Sequence, residues 1–144
     1  MNSLFKAPEA VSLAVHALAY LASLRGRKTQ AQEIASRLNV SSAHMSKVLQ
    51  RLARAGLLCS TRGPRGGFTL DQAPEHVVLL EVFEAMEGPL KPARCLMGRP
   101  VCQAASCVFQ ELAVKMEQGV REQLGRLTLA DLAGIFGEDG SPRS

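Results

Sequence analysis

One six-residue segment, residues 62–67, limits the fold more than any other part of this 144-residue chain. It contains three glycines and one proline, which favour a tight turn because glycine adopts backbone conformations that other residues avoid. The short segments on either side, residues 57–61 and 68–70, have the length of paired strands, so the sequence predicts a β-hairpin. Two arginines, Arg62 and Arg65, lie at the predicted tip.

Three helices are predicted ahead of this hairpin, over residues 10–24, 31–38 and 42–55. In each of them apolar residues recur at steps of three and four, which is the pattern of a helix with one buried face. The last two are separated by residues that suit a tight corner, since Asn39 tolerates a left-handed backbone and Ser41 can cap the next helix. The sequence therefore predicts a helix-turn-helix.

The third helix has an aliphatic inner face and a polar, basic outer face, as expected of a helix that enters the major groove of DNA. Its first residues would meet base edges and its later arginines would hold phosphates. Together the candidates are Ser42, Ala43, Ser46, Lys47, Gln50, Arg51 and Arg54. The hairpin would act as a wing, with Arg62 or Arg65 in the neighbouring minor groove.

Two alternatives compete with this interpretation. An ordinary helical hairpin with a solvated basic face would show the same pattern in the third helix. A glycine-rich loop can also cradle a nucleotide phosphate, but such a loop leads from a strand into a helix, and here a strand follows. Binding of double-stranded DNA explains both segments together.

Charge is distributed unevenly along the chain. Residues 1–70 carry ten lysines or arginines and two acidic residues, whereas residues 71–144 carry seven basic and eleven acidic residues. A basic part beside an acidic part is typical of proteins in which only one part contacts nucleic acid. A solvated surface with uneven charge would give the same count, so the charge supports a DNA partner without establishing it.

Three of the four cysteines fall within thirteen residues, at Cys95, Cys102 and Cys107. Gly98 and Pro100 indicate a loop, in which the three thiolates could converge. An iron–sulfur cluster uses such soft ligands, usually four in total. A thiol or disulfide sensor, a set of buried small side chains and a zinc site are the alternatives, and the spacing disfavours zinc. Without a metal, DNA binding would be controlled by the redox state of the thiols or by a protein partner.

A helix is predicted over residues 74–88, and a longer one over residues 105–126 after the cysteines. A helix of about twenty residues extends about 30 Å, more than so small a DNA-binding part could cover, so pairing with the same helix of a second subunit is expected. The residues for such pairing are Phe109, Leu112, Met116, Val120 and Leu124. Packing within one chain is the alternative.

The expected fold is mostly helical: a winged helix-turn-helix over residues 1–72, a linker helix, cysteine loop and dimerisation helix over residues 73–136, and a disordered tail over residues 137–144. No apolar run reaches the roughly 20 residues that a membrane helix needs, and no signal peptide is recognisable, so a cytoplasmic protein is expected. An enzyme is not expected, because no histidine is close in sequence to the clustered cysteines. Cys59 is interpreted as a half-buried strand residue.

Several motifs in this order resemble those of the Rrf2 family of bacterial winged-helix regulators. They are RGPRGGF at residues 62–68, VLLEV at 78–82, EGPL at 87–90, the three spaced cysteines and LTLADL at 127–132, and the resemblance covers about residues 4–135. It implies a homodimer that binds an inverted-repeat operator. A repressor is expected, with an activator as the alternative. The resemblance also implies an iron–sulfur cluster of the two-iron or four-iron type on Cys95, Cys102 and Cys107, with Arg62 in the minor groove and Ser46 tuning base choice.

The chain departs from the family pattern at the fourth cluster ligand. One branch of the family has a histidine three residues after the last cysteine, where this chain has Gln110. Another branch uses an aspartate near the N-terminus of the partner subunit, and the matching position here is Ser12. Glu9 and His16 lie about one helical turn to either side and are further candidates, so the fourth ligand, the cluster type and the signal stay open.

Overall fold

The computed structural model describes residues 6–92, 95, 97–99 and 101–136. Its helices are α1 (Glu9–Ser23), α2 (Ala31–Arg37), α3 (Ser42–Arg54), α4 (Leu79–Glu87) and α5 (Gln110–Arg126), and its strands are β1 (Leu58–Thr61) and β2 (Gly67–Leu70). Two short 3₁₀ helices, Pro74–His76 and Leu129–Leu132, precede α4 and follow α5. The predicted mostly helical fold with a two-stranded hairpin is confirmed, and the tail predicted over residues 137–144 lies outside the described residues.

The core lies where α1 and α3 pack on each other and on α4, with α2 against α3. α1 begins after Pro8 with Glu9 in its first turn, where a carboxylate favours the positive end of the helix dipole. The fully buried side chains of these four helices include Leu18, Ile34, Met45, Leu49, Leu52, Val82 and Met86. Burying each such side chain stabilises the fold by roughly 1.5–3 kcal/mol, so aliphatic packing fixes the orientation of α3.

The turn between α2 and α3 forms as predicted. Asn39 has a φ of 54°, in the left-handed region, and the amide of Val40 donates to the carbonyl of Ala35 at 2.9 Å. The Ser41 hydroxyl accepts a hydrogen bond from the His44 amide at 3.1 Å and caps α3. Because a cap of this kind contributes about 1 kcal/mol, the first turn of α3 is well defined.

The hairpin is antiparallel, and a third segment that the sequence did not predict pairs with it. Thr29, in the loop before α2, exchanges two backbone hydrogen bonds with Phe68, at 2.8 and 3.1 Å. Gly67, with a φ of 145°, allows this approach, because a Cβ there would lie 2.8 Å from the carbonyl carbon of Thr29. The hairpin is therefore fastened to the loop between α1 and α2.

The prediction of one continuous helix over residues 74–88 is wrong, because Val77 is extended and separates Pro74–His76 from α4. Its carbonyl accepts a hydrogen bond from the Leu129 amide at 2.8 Å, and the Leu79 amide donates to the Leu127 carbonyl at 2.9 Å. These long-range bonds replace helical ones, so α4 begins only at Leu79.

The long C-terminal helix begins five residues later than predicted, at Gln110 rather than at residue 105. Residues 105, 106, 108 and 109 are exposed and have no core packing that would hold a helical turn, and a short helical extension is not stable on propensity alone. α5 packs against α4. Within the described ranges, every helix is too short or too polar to cross a membrane.

Candidate nucleic-acid interface

α3 turns one face to the core and the other to solvent. Its inner residues Met45, Val48, Leu49 and Leu52 are buried, and Ser46 is half-buried. The remaining predicted DNA-binding residues of the helix are exposed, namely Ser42, Ala43, Lys47, Gln50, Arg51 and Arg54. Since α3 contains no acidic residue, the outer face carries only positive charge.

Arg51 has different surroundings from the other candidates on this face. Its Nη2 donates to the carbonyl oxygen of Met86, in the last turn of α4, at 2.5 Å. Arg54, close to one turn further along α3, has no ion pair or hydrogen bond with any described residue. Both arginines are predicted phosphate contacts, but among the described residues only Arg51 has a hydrogen-bond partner.

The wing tip carries Arg62 and Arg65, both exposed. A hydrogen bond from the Gly66 amide to the Gly63 carbonyl, at 2.9 Å, closes the turn. Gly66 is packed so tightly that a Cβ would lie 2.2 Å from the carbonyl oxygen of Thr61. The glycines therefore keep the tip narrow, as entry into a groove about 6 Å wide requires.

The loop that fastens the wing is braced by polar contacts. Arg27 Nη2 lies 2.5 Å from Glu33 Oε1, which also accepts a hydrogen bond from the Tyr20 hydroxyl at 3.2 Å. The hydrogen bond to Glu33 raises the pKa of Arg27, while burial, and then the charge of Glu33, raise the pKa of Tyr20. Phe136 packs edge-on against Tyr20, with 5.6 Å between the ring centroids. These contacts hold α1 and α2 together beside the wing.

The three clustered cysteines are free thiols: Cys102 is exposed, and Cys95 and Cys107 are half-buried. The Cys95 thiol donates to the Arg99 carbonyl at 3.2 Å. Thiolates are suitable donors for iron, yet among the described residues no three side chains of the metal-binding types are gathered as a metal site requires. The expectation that the three thiolates converge is not met in this conformation.

The candidates for a fourth cluster ligand lie on two helices. Glu9, Ser12 and His16 are on α1, where Glu9 Oε1 is 3.9 Å from His44 Nδ1 at the start of α3. His16 Nδ1 is 2.7 Å from the carbonyl oxygen of Ser12. Gln110 is the first residue of α5 and is exposed. Glu9 and His16 thus have neighbours other than the cysteines.

Cys59, on β1, is exposed rather than half-buried, because only Leu58 of this strand faces the core. Its thiol donates to Asp71 Oδ1 at 2.7 Å. This hydrogen bond raises the pKa of the Cys59 thiol, since removing the proton would place two negative charges side by side. Cys59 is therefore a separate group from the three clustered cysteines.

The five predicted dimerisation residues follow one stripe along α5 and the residue just before it, but they differ in exposure. Val120 and Leu124 are half-buried, whereas Phe109, Leu112 and Met116 expose 47, 53 and 47% of their surface. Met116 and Val120 border an apolar groove of about 380 Å³, which is completed by Pro8, Phe83, Leu90 and Pro92. Three of the five predicted dimerisation residues are thus about half exposed in the described part of the chain.

Sequence reasoning missed the contacts of Thr29, Gly67 and Arg51. The pair Gly66-Gly67 ahead of a strand was a usable signal, since glycine in a strand often marks the close approach of another backbone. Nothing in the local sequence identified Thr29 as that backbone. Nor did it identify Met86 as the partner of Arg51, because both contacts join residues far apart along the chain.

A family model described as "Rrf2: Iron-dependent Transcriptional regulator" matches residues 8–134, which include all five helices and the wing. A curated relative matches over most of both chains. This HTH-type transcriptional regulator of Aquifex aeolicus (strain VF5) is 28% identical over 130 residues, which cover 88% of this chain and 90% of that protein.

Several solved structures are similar over nearly the whole chain. CymR (YrzC), the global cysteine regulator of B. subtilis, superposes with a TM-score of 0.74 and 26% identity, covering 92% of this chain and 98% of that one. Staphylococcus aureus CymR gives a TM-score of 0.70 and 25% identity, with 88% and 97% covered. IscR of T. potens gives 0.70 and 22% identity, with 90% and 86% covered, a likeness of fold alone.

Proposed function

Because the chain belongs to the Rrf2 family of transcriptional regulators, we propose that it binds an inverted-repeat operator as a homodimer and that a chemical change in its cysteine loop sets the affinity. The chain is a DNA-binding transcriptional regulator rather than an enzyme. One observation carries the proposal: α3, whose exposed face is basic, packs against the first strand of a narrow wing tipped with arginines. We expect the protein to act as a repressor.

In this proposal α3 lies in the major groove. The base edges would be met by the first turns of the helix, through Ser42, Ala43, Ser46 and Lys47. Further along, Gln50 and Arg54 would contact the DNA backbone. On the wing, Arg62 would enter the minor groove and Arg65 would lie beside it, since a narrow A·T-rich groove attracts guanidinium groups.

The wing contact is tested by Arg62→Ala. The variant should lose about 1–3 kcal/mol of binding free energy and relax the preference for A·T-rich flanks. The probe is a duplex selected by the wild-type protein from a randomised pool, and fluorescence anisotropy reports the affinity. Arg126→Ala removes the same charge from the exposed end of α5 and should leave the affinity nearly unchanged. Equal affinities of the two variants would contradict the minor-groove role.

For the chemical change we propose an iron–sulfur cluster held by Cys95, Cys102 and Cys107. Three thiolates on one loop offer the soft donors that iron–sulfur clusters use, and the matching family is described as iron-dependent. Two-iron and four-iron clusters are both compatible, and the fourth ligand would come from Glu9, Ser12, His16 or Gln110. Holding a cluster would bring the three thiols together, since they do not form a metal-binding group among the described residues.

Anaerobic purification tests the cluster. The wild-type protein should contain iron and sulfide, with visible absorption and Mössbauer spectra that identify the cluster type, and oxygen or nitric oxide should change its operator affinity. Replacing Cys95, Cys102 and Cys107 by serine should abolish the iron and the response. Cys59→Ser is the matched control and should keep both. A colourless protein without iron and with unresponsive affinity would overturn the cluster proposal.

A second candidate is a metal-free regulator whose cysteines act as redox thiols. One observation favours it: the three thiols are free, and no group of side chains that could hold a metal ion is gathered among the described residues. Oxidant would then change the operator affinity of iron-free protein, and mass spectrometry would find a modified cysteine. The same response in the triple serine variant would exclude it.

A further inference from the structure

The contact between Arg51 and Met86 joins the ends of two helices. α4 ends at Glu87, so the Met86 carbonyl has no amide partner within the helix and lies at the negative end of the helix dipole. The Arg51 guanidinium satisfies this carbonyl at 2.5 Å. It thereby fixes the position of α3 relative to the last turn of α4.

Just beyond α4 the chain is fixed a second time, at Leu90. The Leu90 amide donates to Glu84 Oε1 at 3.3 Å, and the Leu90 carbonyl accepts a hydrogen bond from Arg121 Nη2 at 2.5 Å. Arg121 also pairs with Glu117 at 2.8 Å and lies 3.7 Å from Glu84. Leu90 lies five residues ahead of Cys95, so the segment that leads into the cysteine loop is held to both α4 and α5.

We infer that Arg51 is a positioning residue that couples the cysteine loop to α3, and not a phosphate contact. A change in the loop that displaces Leu90 acts on α4 through Glu84 and Arg121, and α4 acts on α3 through the Met86 carbonyl. Helix shifts of about 1–2 Å are typical of such transitions. The two recognition helices of a dimer must keep a spacing of about 34 Å, so small shifts of α3 suffice to change affinity.

This inference rests on the proposed control of DNA affinity by the cysteine loop. Its first test is independent of that control, because a phosphate contact and a positioning residue differ in salt dependence. Log K falls linearly as log salt concentration rises, and loss of one phosphate contact makes this negative slope less steep by about 0.9. Loss of a contact within the protein leaves that slope unchanged.

The matched variants are Arg51→Met and Arg54→Met, which remove the same charge from the same face of α3. On a duplex of arbitrary sequence, Arg51→Met should keep the wild-type slope and Arg54→Met should make it less steep by about 0.9. Anisotropy titrations across a series of salt concentrations measure both slopes. A less steep slope in Arg51→Met would overturn the assignment.

The second test measures the coupling. The quantity is the ratio of affinities for the selected duplex between protein isolated anaerobically and the same protein treated with chelator and hydrogen peroxide. Arg51→Met and Arg121→Met should each change this ratio by a factor of roughly 2 to 30, in the direction of a ratio of one. Lys115→Met, which removes an exposed charge from α5, should keep the wild-type ratio.

The outcomes separate the two proposals. A wild-type ratio of one would defeat the proposed control by the loop, and the coupling with it. A large wild-type ratio that persists in Arg51→Met and Arg121→Met would defeat the coupling alone. If circular dichroism shows that Arg51→Met is unfolded, Arg121→Met carries the test, because its side chain lies outside the DNA-binding half.

Discussion

The backbone conformation at Gly67 and the close approach of a neighbouring segment both require glycine at this position. Its φ of 145° is open to glycine alone, and the backbone of Thr29 passes within 3.0 Å of the position where a Cβ would stand. Thr29 is only 1% exposed, so this contact belongs to the buried part of the protein. This contact ties the strands that carry the wing-tip arginines to the loop before α2.

Gly67→Ala should therefore destabilise the protein by about 1–3 kcal/mol or more, since a strained backbone of this kind costs that much before the clash with Thr29 is counted. The free energy of unfolding, from urea titrations followed by circular dichroism, measures the loss. Gly125→Ala is the control, because that position in α5 is open and its φ is ordinary. It should leave stability unchanged or raise it by up to about 1 kcal/mol. Equal stabilities of the two variants would contradict the close approach.

The raised pKa of the Cys59 thiol predicts slow alkylation near neutral pH, because only the thiolate reacts. The cause is the hydrogen bond to Asp71, so Asp71→Asn should shift the rate profile to lower pH and speed the reaction. The measurement is the rate of iodoacetamide labelling against pH, in a background where the other three cysteines are serine. Superimposable profiles with and without Asp71→Asn would show that the carboxylate does not control this thiol.

At the scale of the elements, sequence pattern predicted the helices and strands that are determined by interactions between residues close together in the chain. The three helices of the helix-turn-helix and the two wing strands were found from periodicity and turn residues, within one or two residues at their ends. The break before α4 was not found, because Val77 is extended by hydrogen bonds to a segment that follows α5. The late start of α5 was missed too, since helix propensity does not report the core packing that residues 105, 106, 108 and 109 lack.

In the candidate site, too, the features set by local spacing could be predicted, and those set by packing between distant segments could not. The exposed face of α3 could be read from its spacing, because the buried residues fix which side is outward. The partner of Arg51 could not be read, since it depends on how α4 packs against α3. The cysteines could be found from their spacing, but the distances between their thiols depend on loop conformation, which spacing does not determine.

The segment after α5 is held by a capping box. Asp131 Oδ2 accepts hydrogen bonds from the Thr128 amide at 2.7 Å and from its hydroxyl at 3.2 Å. Asp131→Ala should lower the free energy of unfolding by about 1 kcal/mol. Glu122→Ala is the control, because the exposed pair of Glu122 with Arg126, at 3.9 Å, contributes little. Equal losses of unfolding free energy in both variants would mean that the capping hydrogen bonds contribute no more stability than an exposed ion pair.

At the scale of the whole molecule, α4 is the element that joins the basic half of the chain to the half that carries the cysteine loop. It packs on α1 and α3 in the basic half and on α5 in the acidic half. A disturbance of the loop between α4 and α5 therefore has a short route to the DNA-binding face. The opposite charges of the two halves also orient the molecule, since DNA attracts one half and repels the other.

The exposed apolar side of α5 predicts that stability depends on protein concentration. If Phe109, Leu112 and Met116 pair with the same helix of a second copy, dilution should lower Tm, because dissociation accompanies unfolding. Leu112→Glu should weaken the dimer by about 2 kcal/mol or more, as truncation or charging of a central interface residue does. Its Tm should then no longer respond to concentration.

Gln118→Glu is the matched control, since it adds the same charge on another side of α5. Sedimentation should show a dimer for this control and a monomer for Leu112→Glu. The monomer should bind a full inverted repeat no more tightly than a single half-site, because one subunit reaches only one of two sites about 34 Å apart. A Leu112→Glu protein that stays dimeric, or that keeps its preference for the full repeat, would place the subunit interface elsewhere than on this side of α5.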